Sequence, residues 1–287
     1  MSRLAYVNGR FLRHAEAGVS IEDRGYQLGD GIYEVWAVFD GKLADPKGHF
    51  ARLERSLGEL QIDMPMSRAA LTVALRETVR RNKVRYGIVY LQVTRGVARR
   101  DHAFPTVPTA PTVVITARSG DSAAAQAKAA KGVSVITLPD NRWGRCDIKT
   151  INLLPNVLAK QAAREEGAFE AWLVDADGLV TEGASSNAWI VDADGVLRTR
   201  DIGANILRGV TRLTLIEVAK SAGYTIDERA FTVAEAKAAR EAFLTGAGAL
   251  VMPIVRIDDA PVANGHPGQV ASALRAAYIQ RAKQTSI

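Results

Sequence analysis

Cysteine is nearly missing: Cys146 is the only one in 287 residues. No internal disulfide can form and no cysteine-rich metal site can be built. No apolar run approaches the roughly 20 residues a membrane-spanning helix needs. The opening stretch MSRLAYVNGRFLRHAEAG lacks the apolar core of a signal peptide. The histidines, His14, His49, His102 and His266, are scattered without an HxxxH pair, so no metal site is expected. There is no GxSxG elbow of a serine hydrolase, no P-loop and no strand–GxGxxG–helix unit. These absences predict a soluble, cytoplasmic protein that uses neither a membrane nor a metal.

The charge that is present points to no nucleic acid. The net charge is +6, with arginine outnumbering lysine, but acids are interspersed throughout and basic blocks stay short. A nucleic-acid binder would gather that charge into a stripe or tail. An apolar fraction of 47% with 24% charged residues is enough for a substantial core. Asn8-Gly9 between apolar runs predicts a hairpin, and residues 33–39 alternate as a strand does. Helical spacing follows over 50–60 and 68–82, then strand-like runs over 87–94 and 112–117. Residues 118–132, RSGDSAAAQAKAAKG, are poor in large apolar side chains and read as either a short exposed helix or a linker, a natural domain boundary. Beyond it, strands are expected at 133–138, 171–175, 188–191 and 242–244, with helices at 154–166, 210–222, 233–241 and 270–283.

Five segments could carry chemistry, each with an ordinary alternative. Lys149 in DIKTINLL has apolar residues just downstream. Desolvation there would lower the amine's pKa and make it nucleophilic; a lysine whose stem covers the core edge would look the same. TEGASSN (181–187) is turn-rich between two strand-like runs, with Glu182 its only acid, and would also suit a plain turn. NILRGVTR (205–212) opens a helix after Gly209, leaving N–H groups for an anion, with Thr211 adding a hydroxyl; a routine helix start fits equally. LTGAGA (244–249) is a small-residue loop able to cradle a phosphate, like many strand–helix turns. Arg100 and His102 lie just past a strand. In extended backbone they would point the same way and suit a carboxylate, unless the segment is a solvated turn.

Taken in order along the chain, from about Tyr6 to the C-terminal helix, these motifs resemble the fold-type IV, pyridoxal-phosphate-dependent (class IV) aminotransferases. The resemblance implies a mixed α+β and α/β two-domain class IV aminotransferase fold. Residues 1–118 would form the N-terminal α+β domain, 119–132 an interdomain linker, and 133–287 a C-terminal α/β domain carrying the Schiff-base lysine. It implies pyridoxal 5'-phosphate as cofactor and Lys149 as the catalytic lysine. Glu182 would contact the pyridine nitrogen, with Ser185, Ser186 and Asn187 also at the cofactor. Arg52 in HFARLERS, Leu207, Gly209, Val210 and Thr211 in ILRGVTR, and Gly246 and Ala247 would surround the phosphate. Two positions depart from the pattern: Ala247 stands where a hydroxyl residue is common, and Ala184 where serine often follows the glutamate-glycine pair.

Within the family the sequence is similar to the D-amino-acid aminotransferases, through GDGIYEV around Tyr33, the VTRG strand end, and Arg100-x-His102 before Phe104-Pro105. That likeness implies that Tyr33, Arg100 and His102 hold the substrate carboxylate, with Tyr90 beside them. Arg100 and His102 would come from the neighbouring subunit of a homodimer. The implied reaction is ping-pong transamination between a D-amino acid, D-alanine or D-glutamate, and a 2-oxo acid, 2-oxoglutarate or pyruvate. Alternatives in the same family are a branched-chain L-amino-acid transaminase, an (R)-amine transaminase and an aminodeoxychorismate lyase. A cofactor-binding relic without activity would require the whole constellation to be decorative.

Overall fold

The computed structural model describes residues 3–203 and 205–287. The chain divides into two compact units. The first comprises residues up to 121 together with 148–152 and 285–287, and the second 122–147 and 153–284.

The first unit runs β1 (Leu4–Val7), β2 (Arg10–Arg13), a single 3-10 turn (His14–Glu16), α1 (Arg24–Leu28), β3 (Gly31–Phe39), β4 (Lys42–Leu43), α2 (Pro46–Glu59), α3 (Arg68–Arg81), β5 (Tyr86–Thr94) and β6 (Thr112–Ser119). Among the described residues its strands make one six-stranded antiparallel sheet in the order β2-β1-β6-β5-β3-β4. Asn8 and Gly9 both take positive φ, 45° and 91°, as a two-residue hairpin turn requires. Helices α2 and α3 pack Phe50, Leu53, Leu57, Leu71 and Leu75 against Trp36, Val89, Leu91 and Ile115 of the sheet.

Ile148 belongs to that same core. The lysine's segment therefore lies in the first unit, not with the residues 133–287 in which the sequence placed it. Tyr33 N donates to the Lys149 carbonyl (3.0 Å), and Ile151 N donates to the Gly31 carbonyl (3.1 Å). Thr150 forms an antiparallel bridge with Ile32. A five-residue run with two isoleucines shows no period that would say which core receives it.

The second unit runs α4 (Ser122–Lys131), β7 (Val133–Pro139), α5 (Leu154–Glu165), β8 (Glu170–Val174), β9 (Val180–Gly183), β10 (Asn187–Val191), β11 (Leu197–Thr199), α6 (Val210–Ser221), β12 (Ile226–Glu228), α7 (Val233–Ala238), β13 (Glu241–Gly246), β14 (Leu250–Ile257), β15 (Ala260–Pro261) and α8 (Gln269–Thr285). Among the described residues its nine strands follow the order β12-β11-β10-β13-β14-β7-β8-β9, with β15 on β14. Where a linker was one reading, α4 is a helix: alanine favours that state, and only Ala129 of it is buried. Strand β14 was not foreseen, because Pro253 interrupts its apolar run. Leu250–Ile254 pairs with β13, and pairing with β7 begins only at Ile254. Proline's missing N–H thus falls before the β7 ladder starts. No described helix is long and apolar enough to cross a membrane.

Candidate active site

The expected site residues fall into two sets, one in each unit. In the first, alternation along β3 and β5 brings Tyr33 and Tyr90 to one sheet face as a diagonal pair, their rings stacked at 5.7 Å. Lys149 Nζ lies 4.1 Å from the centre of the Tyr33 ring, a cation–π placement. Its backbone N–H points at Ser56 Oγ (3.4 Å). Tyr90 donates its hydroxyl to Gln92 Oε1 (2.8 Å). Burial, with the neighbouring Tyr33 adding to it, pushes the Tyr90 phenol up to about 12, so it stays protonated across the physiological range.

On the opposite face of β3, Glu34 is fully buried. It accepts from Arg52 Nε (2.7 Å) and Nη2 (2.8 Å) and lies 2.7 Å from His49 Nδ1. His49 and Arg52 are three residues apart on α2, hence on one helix face. Burial alone would raise the Glu34 carboxyl. The charge and hydrogen bonds of Arg52, then those of His49, outweigh it and hold the group well below the usual carboxylate range. Burial pushes the His49 imidazole down, against the pull of Glu34. A neutral imidazole satisfies the carboxylate only by donating its Nδ1–H, so that tautomer is assigned. Neither Glu34 nor His49 was expected. The signal was present, since Glu34 shares a strand face with Ile32, Trp36 and Val38, where a lone charge needs a buried partner.

Arg100 and His102 are exposed and lie in the 95–111 loop, not in extended strand. The chain bends at both residues, so the two-residue alternation that would have pointed them the same way does not operate. The backbone between them is nevertheless fixed, because the Asp101 carbonyl accepts from Arg24 Nη1 (2.7 Å).

In the second unit, Glu182 belongs to β9 and not to a turn; the turn is the stretch that follows. Its carboxylate accepts from Asn187 Nδ2 (2.9 Å), from Leu207 N (3.1 and 3.2 Å) and from Arg142 Nη1 (2.5 Å). Arg142 also forks onto Asp140. Burial works against the Arg142 charge, but the bonds to Asp140 and the charge of Glu182 raise its pKa overall. Arg142 was not foreseen, because nothing local in NRWGRC announces a partner 40 residues away.

Ser185 and Ser186 turn their hydroxyls onto buried Glu170 (2.7 and 3.1 Å), which the sequence did not single out. Asn187 Nδ2 also donates to the Leu207 carbonyl (3.0 Å), tying the start of β10 to the approach to α6. Gly209 is the N-cap of α6 and offers no side-chain cap. The first-turn N–H groups of Val210 and Thr211 therefore lack a partner within the helix. Gly246 ends β13, and residues 247–249 turn directly into β14. The Gly246–Ala247 loop is thus a hairpin, not a strand–helix turn. A Cβ at Gly246 would lie 3.3 Å from the Ser185 carbonyl, so this hairpin adjoins the TEGASSN turn.

The model of the family "Amino-transferase class IV" matches residues 31–257. The chain belongs to the class IV aminotransferases. It is 42% identical over 280 residues to a D-alanine aminotransferase of Bacillus licheniformis, an alignment covering 98% of this chain and 95% of that one. With a D-alanine aminotransferase of Staphylococcus epidermidis it shares 40% over 282 residues, covering 98% and 99%. Among solved structures, a T.th. branched-chain amino acid aminotransferase with pyridoxamine 5'-phosphate superposes with a TM-score of 0.88 at 28% identity, covering 98% and 94%. A branched-chain aminotransferase of Thermoproteus uzoniensis with norvaline gives 0.84 at 27%, covering 98% and 94%. The class IV aminotransferase fold expected from the sequence is thereby established.

The donor sets described above suit pyridoxal phosphate. A primary amine, Lys149, is available for its aldehyde. A carboxylate beside a buried guanidinium, Glu182, matches a protonated ring nitrogen. A helix start without a side-chain cap, followed by the Thr211 hydroxyl, matches a phosphate.

Proposed function

We propose that this chain is a pyridoxal-phosphate-dependent transaminase of D-amino acids. It transfers the amino group of D-alanine or D-glutamate to 2-oxoglutarate or pyruvate in two half-reactions. The observation that carries the reading is Lys149: its amine rests over the Tyr33 ring, and among the described residues no carboxylate is paired with it, in a chain of this family. The identity with D-alanine aminotransferases over 98% of the chain supports the choice of enantiomer.

Bound pyridoxal phosphate supplies the electron sink that makes the substrate α-proton removable. Lys149 is the Schiff-base lysine. When not bonded to the cofactor, its Nζ would take the substrate α-proton and later return it, a base and then an acid. Glu182, held by Arg142, would face the ring nitrogen and favour its protonated form. Arg52, oriented by Glu34, binds the phosphate with the first-turn N–H groups of Val210 and Thr211, the Thr211 hydroxyl, and the backbone of Gly246 and Ala247. Leu207 and Gly209 shape the approach to that helix. Ser185, Ser186 and Asn187 keep the turn after Glu182 in place.

Tyr33, Tyr90, Arg100 and His102 bind the substrate, the last two across a homodimer. Exposed apolar side chains in the same unit as the Arg100 loop, among them Val97, Phe104 and Val107 of the loop itself, favour such an association. The carboxylate anchor decides which α-substituent faces Lys149, and so selects the D enantiomer. A cytoplasmic location belongs to the same reading and rests on the cysteine count.

The test uses purified holoenzyme with D-alanine and 2-oxoglutarate, scored by pyruvate formation, beside an L-leucine control. Pyruvate is expected; amino transfer from L-leucine alone would establish the branched-chain reading that the solved structures favour. Lys149→Ala should abolish multiple turnover and the visible absorbance of the lysine-bound cofactor.

A further inference from the structure

The 95–111 loop that carries Arg100 and His102 has no regular secondary structure beyond one isolated bridge at Val97, yet polar groups hold it at several points. At its start, Arg24 N donates to the Gly96 carbonyl (2.9 Å) and Ala98 N to the Glu22 carbonyl (3.3 Å). Farther along, Thr109 Oγ1 donates to the Arg95 carbonyl (2.8 Å), and the Phe104 ring covers the Arg95 guanidinium at 3.7 Å.

The contact nearest the functional pair comes from Arg24. Its buried guanidinium spends Nε on Asp30 Oδ2 (2.8 Å) and Nη1 on the Asp101 carbonyl (2.7 Å). Asp101 is the residue between Arg100 and His102. Asp30 is itself held by the Arg95 fork (2.7 and 3.0 Å) and stands three residues before Tyr33. One carboxylate thus ties the start of the Tyr33 strand to both arginines that brace the loop.

We infer that Arg24 is a positioning residue for substrate carboxylate recognition: by gripping Asp101 it sets the directions in which Arg100 and His102 leave the chain. This rests on the reading of Arg100 and His102 as the carboxylate receptor. Arg24 contacts no reacting atom. Its guanidinium serves two acceptors at once because its N–H groups diverge in a plane. An ammonium in its place can keep the Asp30 ion pair but cannot reach both acceptors.

The experiment is a double-mutant cycle on the holoenzyme with Arg24→Lys, Arg100→Ala and the pair. It measures KM and kcat for D-alanine, and pyridoxal phosphate affinity by fluorescence titration of the apoenzyme. Arg24→Lys should raise KM for D-alanine about tenfold, the scale expected when a binding group is misplaced by a fraction of an ångström. Cofactor affinity should stay within twofold, and in the Arg100→Ala background the same change should add less than twofold. An unchanged KM in folded Arg24→Lys overturns the inference, as does a KM effect that persists at full size without Arg100. If Arg100→Ala alone leaves KM unchanged, the receptor reading itself fails, which is a separate outcome. Should Arg24→Lys not fold, Arg24→Gln, which cannot span Asp30 and the Asp101 carbonyl and leaves the Arg95–Asp30 fork in place, takes its place under the same two criteria.

Discussion

Arg52 takes its direction from Glu34, an acid with no solvent exposure, and their two-point contact leaves the guanidinium little freedom to swing. Replacing the carboxylate by an amide leaves a buried arginine without its counter-charge and turns one of the two acceptor oxygens into a donor facing other donors. Glu34→Gln should therefore cost about 3–5 kcal/mol, read by chemical denaturation of the apoenzyme. A variant as stable as the parent would refute the account of Arg52. At this scale the sequence was uneven. Lys149 and Glu182 stand in runs whose order along the chain singled them out. Glu34 was detectable only by asking what an acid does on a core-facing strand position. Arg142 and Glu170 had no local signal, because the contacts that bring them to the site, to Glu182 and to Ser185 and Ser186, are closed only by the folded sheet.

At the scale of elements, helix and strand periods located most of the architecture, and the exceptions have physical reasons. An alanine-rich stretch buries a single side chain and so gave no amphipathic pattern for α4. Strand β14 contains a proline where a central strand should not, and tolerates it because its two halves pair with different neighbours. The start of α6 offers a test. Gly209 has an ordinary negative φ, −64°, so alanine suits its backbone, but the new Cβ would overlap Asn187 Oδ1. Asn187 must then release Glu182 or Leu207. Gly209→Ala should weaken pyridoxal phosphate binding about tenfold, the worth of one hydrogen bond, in titrations of the apoenzyme. Unchanged affinity would mean that Asn187 does not bear on the cofactor.

For the molecule as a whole, the buried histidine ties stability to pH. The folded state keeps His49 neutral, with its pKa below the ordinary 6.5, whereas the unfolded chain protonates it near that value. Below about pH 6.5 the unfolded state binds the extra proton, so stability falls as pH drops and rises as pH increases. The slope from one such group is at most about 1.4 kcal/mol per pH unit. Denaturation midpoints between pH 5.5 and 7.5 should follow this trend, and His49→Asn should flatten it; an equally steep variant would assign the dependence elsewhere. Glu34, with its carboxyl depressed, adds its own loss only in stronger acid, below its unfolded value of 4.5.

The lysine's pentapeptide has a consequence for how the protein is made. Ile148 completes a core otherwise drawn from the first 121 residues, and Lys149 pairs with Tyr33 more than a hundred positions earlier. A nascent chain that has reached β6 has synthesised every strand of the first sheet but not the segment that closes along β3. That unit must wait on the ribosome, part-finished, until translation has passed through α4 and β7. Contacts of such long span slow folding, so the first unit should gain stability in late steps, one when the Lys149 segment arrives and the last when residues 285–287 arrive and Ile287 pairs with Leu43.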